Sequence, residues 1–343
     1  MEEFPELLRR LLRGGTLSAE ESAATVGAIV DEAITSAQAA GLLIALAARG
    51  ETIEEVIGAA IAMRQRAVRL DHQLPLVIDI VGTGGDGTRS INISTAAALV
   101  VAGAGVPVAK HGNRAASSAC GSADVLEALG VPLDRQPEEA AELLARHRIT
   151  FLFAPRYHPA FKAAAGLRRE LGVRTIFNLL GPLCNPAGAH RQLVGVFGET
   201  QVDLVAEAMR GLGAAEGAVV HSASGMDEVA GDGPTWVAQF TKDGTRRWVL
   251  HPEEYGIRAS LDELRGGDAQ TNARLILAIL RGESSPRADV VALNAALALM
   301  VAGAAGDIND GLVMARASIG SGAALAALDA LRSSPEALAT VDG

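Results

Sequence analysis

Aromatic residues make up only 3% of the 343 positions, so no tryptophan-rich or tyrosine-rich recognition surface is encoded. Apolar residues nevertheless reach 49%, which leaves the core to Ala, Val, Leu and Ile. Cysteine is nearly absent. Cys120 and Cys184 stand alone and outside any catalytic or metal spacing, which excludes a disulfide framework and reads as reduced thiols. No uninterrupted apolar run approaches the length of a membrane-spanning helix, and MEEFPELLRRLLRGG lacks the apolar centre of a signal peptide. A cytoplasmic location is expected. The seven histidines show no metal-binding spacing, and no internal repeat is evident. A net charge of −10 argues against a general nucleic-acid surface.

One absence is local. The chain holds 40 acidic residues, yet none lies between Gly87 and Ala123. The cations of that stretch are Arg89, Lys110 and Arg114. The segment that contains it begins as a mainly apolar run, Leu76 to Val81, which breaks into a loop with Gly82, Gly84, Gly85 and Gly87. Hydroxyls follow at Thr88, Ser90, Ser94 and Thr95, then a helical pattern from about Thr95 to Ala104. A second apolar run, Val106 to Ala109, ends in Lys110-His111-Gly112-Asn113-Arg114. Both units are strand, small-residue loop, helix. That construction gathers backbone N–H groups and a helix N-terminus at one end of a parallel sheet, where phosphate or pyrophosphate binds.

Two other phosphate motifs fit less well. Gly82, Gly84 and Gly87 satisfy the spacing of a dinucleotide fingerprint, but the acid required about 20 residues later is missing. A nucleotide-triphosphatase P-loop is excluded because no Gly-Lys-Ser/Thr closes the loop.

The first 70 residues read as helix throughout. Capping boxes at Ser18…Glu21, Thr35…Gln38 and Thr52…Glu55 mark three starts. Asp71-His72-Gln73 and Pro75 mark a hinge, after which short β-branched runs alternate with helices. The fold class is α/β: a small N-terminal α-helical domain, then a larger α/β domain with a mainly parallel central sheet flanked by helices. Candidate strands are 77–81, 106–109, 150–153, 193–196, 217–222 and 235–240. Candidate helices fall near 95–104, 122–129, 137–147, 159–171, 200–212, 270–281, 287–303 and 307–320. Residues 241–268 read as antiparallel or irregular surface structure, and 178–186, with Gly181-Pro182 and Asn185-Pro186, as turn-rich.

Two further clusters carry chemistry. Asp227 and Glu228 follow a strand, where carboxylates can hold Mg²⁺ bridged to substrate phosphates. They are equally an ordinary acidic loop when taken alone. Arg168 and Arg169 lie on a helix and could meet a carboxylate, although spacing alone favours solvated helix charges.

Together GTGGDG (82–87), NIST (92–95), KHGNR (110–114), GSADVLEALG (121–130), RTIFNLLGPLCNP (174–186) and MDE (226–228) resemble the anthranilate phosphoribosyltransferases of tryptophan biosynthesis, in order and over nearly the whole chain. The resemblance implies a helical domain of 1–70 joined by about 165–190, against an α/β domain of 76–164 and 191–343, usually a homodimer through the helical part. It implies transfer of ribosyl 5-phosphate from phosphoribosyl pyrophosphate (PRPP) to the amine of anthranilate, with Mg²⁺, two per subunit, and no nucleic-acid or membrane partner. Carried over by motif, Gly82, Gly85, Asp86, Ser90, Asn92, Ile93, Ser94 and Thr95 are PRPP residues of the first segment. Lys110, His111, Gly112, Asn113, Arg114, Ala115, Ala116, Ser117, Ser118 and Ser122 belong to the second. Gly82, Asn113 and Arg168 match anthranilate contacts, and Ser94, Asp227 and Glu228 the metal ligands. No residue is assigned as general acid or base, since an aromatic amine is neutral at pH 7. Ala119 departs from the family pattern, where many relatives carry Lys, and bears on donor affinity. The related pyrimidine nucleoside phosphorylases lack KHGNR as it stands here. A non-catalytic nucleic-acid-binding relative is expected to lose its metal acids and gain a basic surface, unlike this chain.

Overall fold

The computed structural model describes residues 4–115 and 119–333. Four helices come first: α1 (Phe4–Leu12), α2 (Ala19–Val30), α3 (Ser36–Arg49) and α4 (Ile53–Gln65). All three capping boxes form, with Ser18, Thr35 and Thr52 each accepting from the N–H of the residue three positions on. Glu55 does more than close its own box. Its buried carboxylate accepts from Thr52 N at 2.8 Å and from Leu17 N at 2.9 Å, and it pairs with Arg49. One side chain therefore ties α4 to the α1–α2 turn and to the end of α3. Glu55→Ala strands a buried N–H and a cation, and is expected to cost about 3 kcal/mol of stability, read from chemical denaturation.

The rest of the chain alternates strand and helix. In order it runs β1 (Ile78–Gly82), α5 (Ile93–Gly103), β2 (Val108–Gly112), α6 (Ser122–Ala128), α7 (Pro137–His147), β3 (Ile149–Phe153), α8 (Ala154–Tyr157), α9 (Ala160–Leu171), α10 (Phe177–Leu183), β4 (Arg191–Gly195), α11 (Thr200–Gly211) and β5 (Glu216–Ser222). The hairpin β6 (Thr235–Thr241) and β7 (Gly244–Leu250) follows, then α12 (Leu261–Leu264), α13 (Ala269–Leu280), α14 (Pro286–Val301), α15 (Ile308–Gly320) and α16 (Ala323–Arg332). The seven-stranded sheet has the order β3-β2-β1-β4-β5-β6-β7. Strands β1 to β5 are parallel, and β6 and β7 are antiparallel.

Alternation along the strands divides the apolar residues between two faces. Ile80, Leu193 and Val220 pack with α5, α6 and α13 to α16. Val194, Val219 and Phe240 pack with α10, α11 and the N-terminal helices, so the helical bundle shares a core with this second face. Arg64 reinforces that junction from α4, donating to the carbonyls of Leu183 (2.7 Å) and Leu212 (3.3 Å) at two helix C-termini.

Helices α10 and α16 depart from the sequence expectation. Residues 177–183 form α10 and not a turn-rich segment. Phe177, Leu179, Leu180 and Leu183 are buried against the second core, and that burial outweighs the N–H that Pro182 removes inside the helix. Helix α16, which no sequence signal had marked, closes the first core through Leu328 and Leu331. Among the described residues no single helix is long and apolar enough to cross a membrane.

Candidate functional site

The sheet order changes direction between β1 and β4. The chain leaves β1 for α5 on one face and β4 for α11 on the other, which opens a crevice at the carboxyl ends of these strands. The glycine loop after β1 lies at this crevice. Gly84, Gly85 and Gly87 take φ of +68°, +73° and +79°, and Arg89 follows at +57°. Gly82 is a glycine for another reason: a Cβ there would stand 2.4 Å from Asp227 Oδ2. Gly195 on β4 meets the same residue, with its Cβ position 1.5 Å from the Asp227 carbonyl oxygen.

Asp227 and Glu228 thus reach across from the β5–β6 connection to close the β1–α5 loop. Gly84 N donates to Asp227 Oδ2 at 2.7 Å, and Ser94 N donates to Glu228 Oε1 at 3.1 Å. Burial holds both carboxyls above the usual carboxylate range. Asp86 adds repulsion at Asp227, and Asp227 adds repulsion at Glu228. Asp86 itself is turned into its loop, accepting from Thr88 N at 3.1 Å and Thr88 Oγ1 at 2.7 Å. The local cation is Lys110, buried, with Nζ donating to the Ile80 carbonyl at 2.6 Å and lying 3.4 Å from Ser94 Oγ. Burial lowers its pKa against the pull of Asp79, Glu228 and Asp227.

One ammonium faces three carboxyls in a water-poor place, so their full charge develops only when a cation joins them. The donors are hard oxygens, with the Ser94 hydroxyl alongside. Among the described residues no group of three or more His, Cys, Asp or Glu is arranged to hold an ion. Two carboxylates and a hydroxyl fit Mg²⁺, which keeps waters and takes further ligands from phosphate instead of requiring an all-protein cage.

The second segment is built around Asp124, the first acid after the acid-free stretch. Its Oδ2 accepts from Ala115 N and Gly121 N, both at 2.9 Å, and so ties the two ends of the loop together. Arg114 is committed here: its guanidinium pairs with Glu127 and Asp124, which raise its pKa. Helix α6 brings these acids to Arg114 from ten and thirteen residues on. Gly112 permits the close approach of Ser122, whose Oγ would lie 2.2 Å from a Cβ. Ser122 Oγ donates to the Asn113 carbonyl at 3.3 Å, while Asn113 is exposed and its Oδ1 accepts from Arg114 N at 2.7 Å. Ala116, Ser117 and Ser118 lie outside the described residues.

Beside this segment runs a chain of rings. His111 is 5.0 Å from His158, His158 is 5.5 Å from Phe161 and Phe161 is 6.3 Å from Phe177. Burial pushes His111 down to about 3 and His158 down to about 4, so both are neutral at pH 7. His111 Nδ1 lies 3.2 Å from the Gly181 carbonyl and donates to it, which leaves Nε2 a buried acceptor without a partner among the described residues. Arg168 follows Phe161 two turns later on the same face of α9, a helix packed on α2 and α3. Its guanidinium is half-buried and makes no hydrogen bond or ion pair among the described residues, and burial lowers its pKa. Arg169 is exposed.

Sequence reasoning missed Asp79. This fully buried acid in β1 accepts from His111 N at 3.2 Å and from Asn185 Nδ2 at 2.7 Å, and Asn185 Nδ2 also donates to the Ala109 carbonyl at 2.8 Å. Burial raises it to about 6, and Lys110 opposes that rise. It sets the end of β2, and with it Lys110 and His111. A lone acid inside Val77-Ile78-Asp79-Ile80-Val81 was the available signal. Arg174 was also missed: it donates to the Gly85 carbonyl and stacks over the Phe197 ring at 4.2 Å, on the β4 side of the crevice.

The model of the glycosyl transferase family a/b domain matches residues 74–325, and that of the family's helical bundle domain matches residues 5–67. The chain is 47% identical to an anthranilate phosphoribosyltransferase of Rhodopseudomonas palustris over 332 residues, covering 96% of this chain and 98% of that one. The crystal structure of the enzyme of that name from Thermus thermophilus is similar with a TM-score of 0.89 at 44% identity, covering 95% and 99% of the two chains. The Saccharomyces cerevisiae enzyme, solved in complex with PRPP and Mg, gives a TM-score of 0.88 at 26% identity over 98% of each chain.

Proposed function

The chain belongs to the anthranilate phosphoribosyltransferases of the glycosyl transferase family, and on that premise we propose that the crevice between β1 and β4 seats PRPP beside anthranilate. The protein transfers ribosyl 5-phosphate from PRPP to the amine of anthranilate, giving N-(5-phosphoribosyl)anthranilate and pyrophosphate, a step of tryptophan biosynthesis. The observation that carries the site assignment is the closure of the glycine loop by Asp227 and Glu228 through Gly84 N and Ser94 N.

In this reading the C1–O bond to pyrophosphate breaks with its electron pair leaving on the pyrophosphate, the amine lone pair forms the C1–N bond, and the nitrogen then passes one proton to water. Gly82, Gly85, Asp86, Ser90 and the first turn of α5 (Asn92, Ile93, Ser94, Thr95) hold the donor from one side. Lys110 to Ser118 with Ser122 hold it from the other. Ser94, Asp227 and Glu228 would hold Mg²⁺, two ions per subunit, which when bound neutralises charge growing on the leaving group. Gly82, Asn113 and Arg168 receive anthranilate, with Arg168 facing its carboxylate. Buried neutral His111 lines the acceptor side and excludes water. Positioning and electrostatics supply the rate, with no side chain required as a strong base.

The division into 1–70 with about 165–190 against 76–164 and 191–343 makes closure a motion of the bundle on the sheet domain. The crossings lie side by side: Leu70 N donates to the Pro186 carbonyl at 3.0 Å, and His72 Nε2 lies 2.9 Å from the Ala187 carbonyl. The protein is further proposed to be a cytoplasmic homodimer paired through the bundle, where Leu12 and Ile44 are exposed apolar residues. Anthranilate fluorescence tests the activity. It is expected to fall when PRPP is added with Mg²⁺ and to hold steady when a chelator is present. No fall while calorimetry still registers PRPP would overturn the acceptor, and silence in both would overturn the whole site.

A further inference from the structure

Asn92 occupies the N-cap of α5, from which asparagine ordinarily accepts a hydrogen bond from its own helix, yet its side chain makes no capping bond. The amide is turned elsewhere. Nδ2 donates to the Cys120 carbonyl at 3.1 Å, and Oδ1 accepts from Asn272 Nδ2 at 2.9 Å. Asn272 lies in α13, far along the chain and outside every motif of the family resemblance. It is 1% exposed. Its own Oδ1 accepts from Gly267 N at 2.8 Å.

The turn before α13 is laid along the exit of the glycine loop. Ile91 N donates to the Leu264 carbonyl at 3.0 Å, Gly266 N donates to the Arg89 carbonyl at 2.8 Å, and Ser90 bridges to Arg265. The approach is close enough that a Cβ on Gly266 would stand 2.5 Å from Asn272 Oδ1 and 3.0 Å from the Ser90 carbonyl. Three segments therefore meet at one pair of amides: the glycine-loop exit, the neck of the second loop at Cys120, and the start of α13. The consequence falls on the α5 N-terminus. Ile93 N and Ser94 N of that turn already donate to the Ile91 carbonyl and to Glu228, so with Asn92 held away it is Thr95 N that no capping side chain covers, and Thr95 Oγ1 is buried with no partner among the described residues.

We propose that Asn272 is a positioning residue for the phosphoryl donor: it holds Asn92 off its helix, leaves Thr95 in the first turn of α5 uncapped for the anion, and fixes the two donor segments relative to each other. The inference rests on the donor-site reading above. Asn272→Asp keeps the shape and the acceptor for Gly267 N, but it loses the donor to Asn92 and sets a carboxylate against an amide oxygen. The full-length variant is expected to bind inorganic pyrophosphate with Mg²⁺ about tenfold more weakly by calorimetry, with KM for PRPP rising alongside and KM for anthranilate within about twofold. Gly266→Ala presses on the same amide from the other side and is expected to give the same selective loss. Because Asn272 acts through Asn92, adding Asn272→Asp to Asn92→Ala is expected to cost little beyond Asn92→Ala alone. Unchanged pyrophosphate affinity in a folded variant, equal rises in both KM values, or additive losses in the double variant would each overturn the role of Asn272 and leave the donor site standing. Failure of the unsubstituted protein to bind pyrophosphate or PRPP would instead overturn the donor site, and this role with it.

Discussion

Replacing Asp227 by Asn together with Glu228 by Gln is expected to lower turnover by about 10³-fold while leaving the fold at least as stable as before. The two halves of the expectation have separate causes. Each amide keeps an oxygen where the carboxylate had one, so Gly84 N and Ser94 N retain their acceptors and the glycine loop keeps its shape. The substitutions remove two charges that are buried beside each other and beside Asp86, with only Lys110 to offset them. Isosteric neutralisation of such a pair costs the fold little and can stabilise it. What disappears is the pair of hard anionic ligands, and with it stabilisation of the charge that grows on pyrophosphate as it departs. The variant is therefore expected to respond weakly to added Mg²⁺ and to behave like the unsubstituted protein in chelator. Turnover equal to the unsubstituted protein at limiting Mg²⁺ would remove both residues from the metal site. A fall in thermal midpoint matching the fall in activity would make them structural.

The placement of these acids shows which features of the chain a linear reading can reach. The strands were legible because short β-branched runs alternate with helical periods, and Ser18, Thr35 and Thr52 announced their helices because a capping box is local chemistry. Helix α10 was hidden because Gly181, Pro182 and Pro186 are turn residues by intrinsic preference. Burial of Phe177, Leu180 and Leu183 against the bundle outweighs that preference. The glycine loop was legible as a loop, with Gly84, Gly85 and Gly87 at positive φ. That Gly82 and Gly195 are small to admit Asp227 was not, since the contact joins residues more than thirty and more than a hundred positions apart. Arg114 shows the converse. An acid-free stretch does not reveal that the fold sets Asp124 and Glu127, which follow it, against this guanidinium. Asp79 could have been found by asking why an acid interrupts an apolar strand. Asn272 could not, because nothing near it in sequence points to the β1–α5 loop.

Arg168→Ala is expected to raise KM for anthranilate by about 30- to 100-fold while KM for PRPP stays within about twofold. Helix α9 turns Phe161, the buried Ala164 and Arg168 to one side as it packs on α2 and α3, so the guanidinium is partly taken from water. No carboxylate among the described residues meets it, whereas Arg66, Arg114 and Arg247 each find one. A half-buried guanidinium without a counter-ion costs the empty protein free energy, which a bidentate substrate carboxylate returns on binding. Loss of the side chain therefore falls on the acceptor. Arg168→Lys keeps the charge but not the planar fork, and is expected to recover only part of the affinity. The alternative is that Arg168 orders the contact of α9 with the bundle. In that case the alanine variant would raise both KM values together, lower the thermal midpoint, and lose affinity equally for anthranilate and for aniline, which carries the amine without the carboxylate. A selective loss for the carboxylate-bearing acceptor separates the two roles.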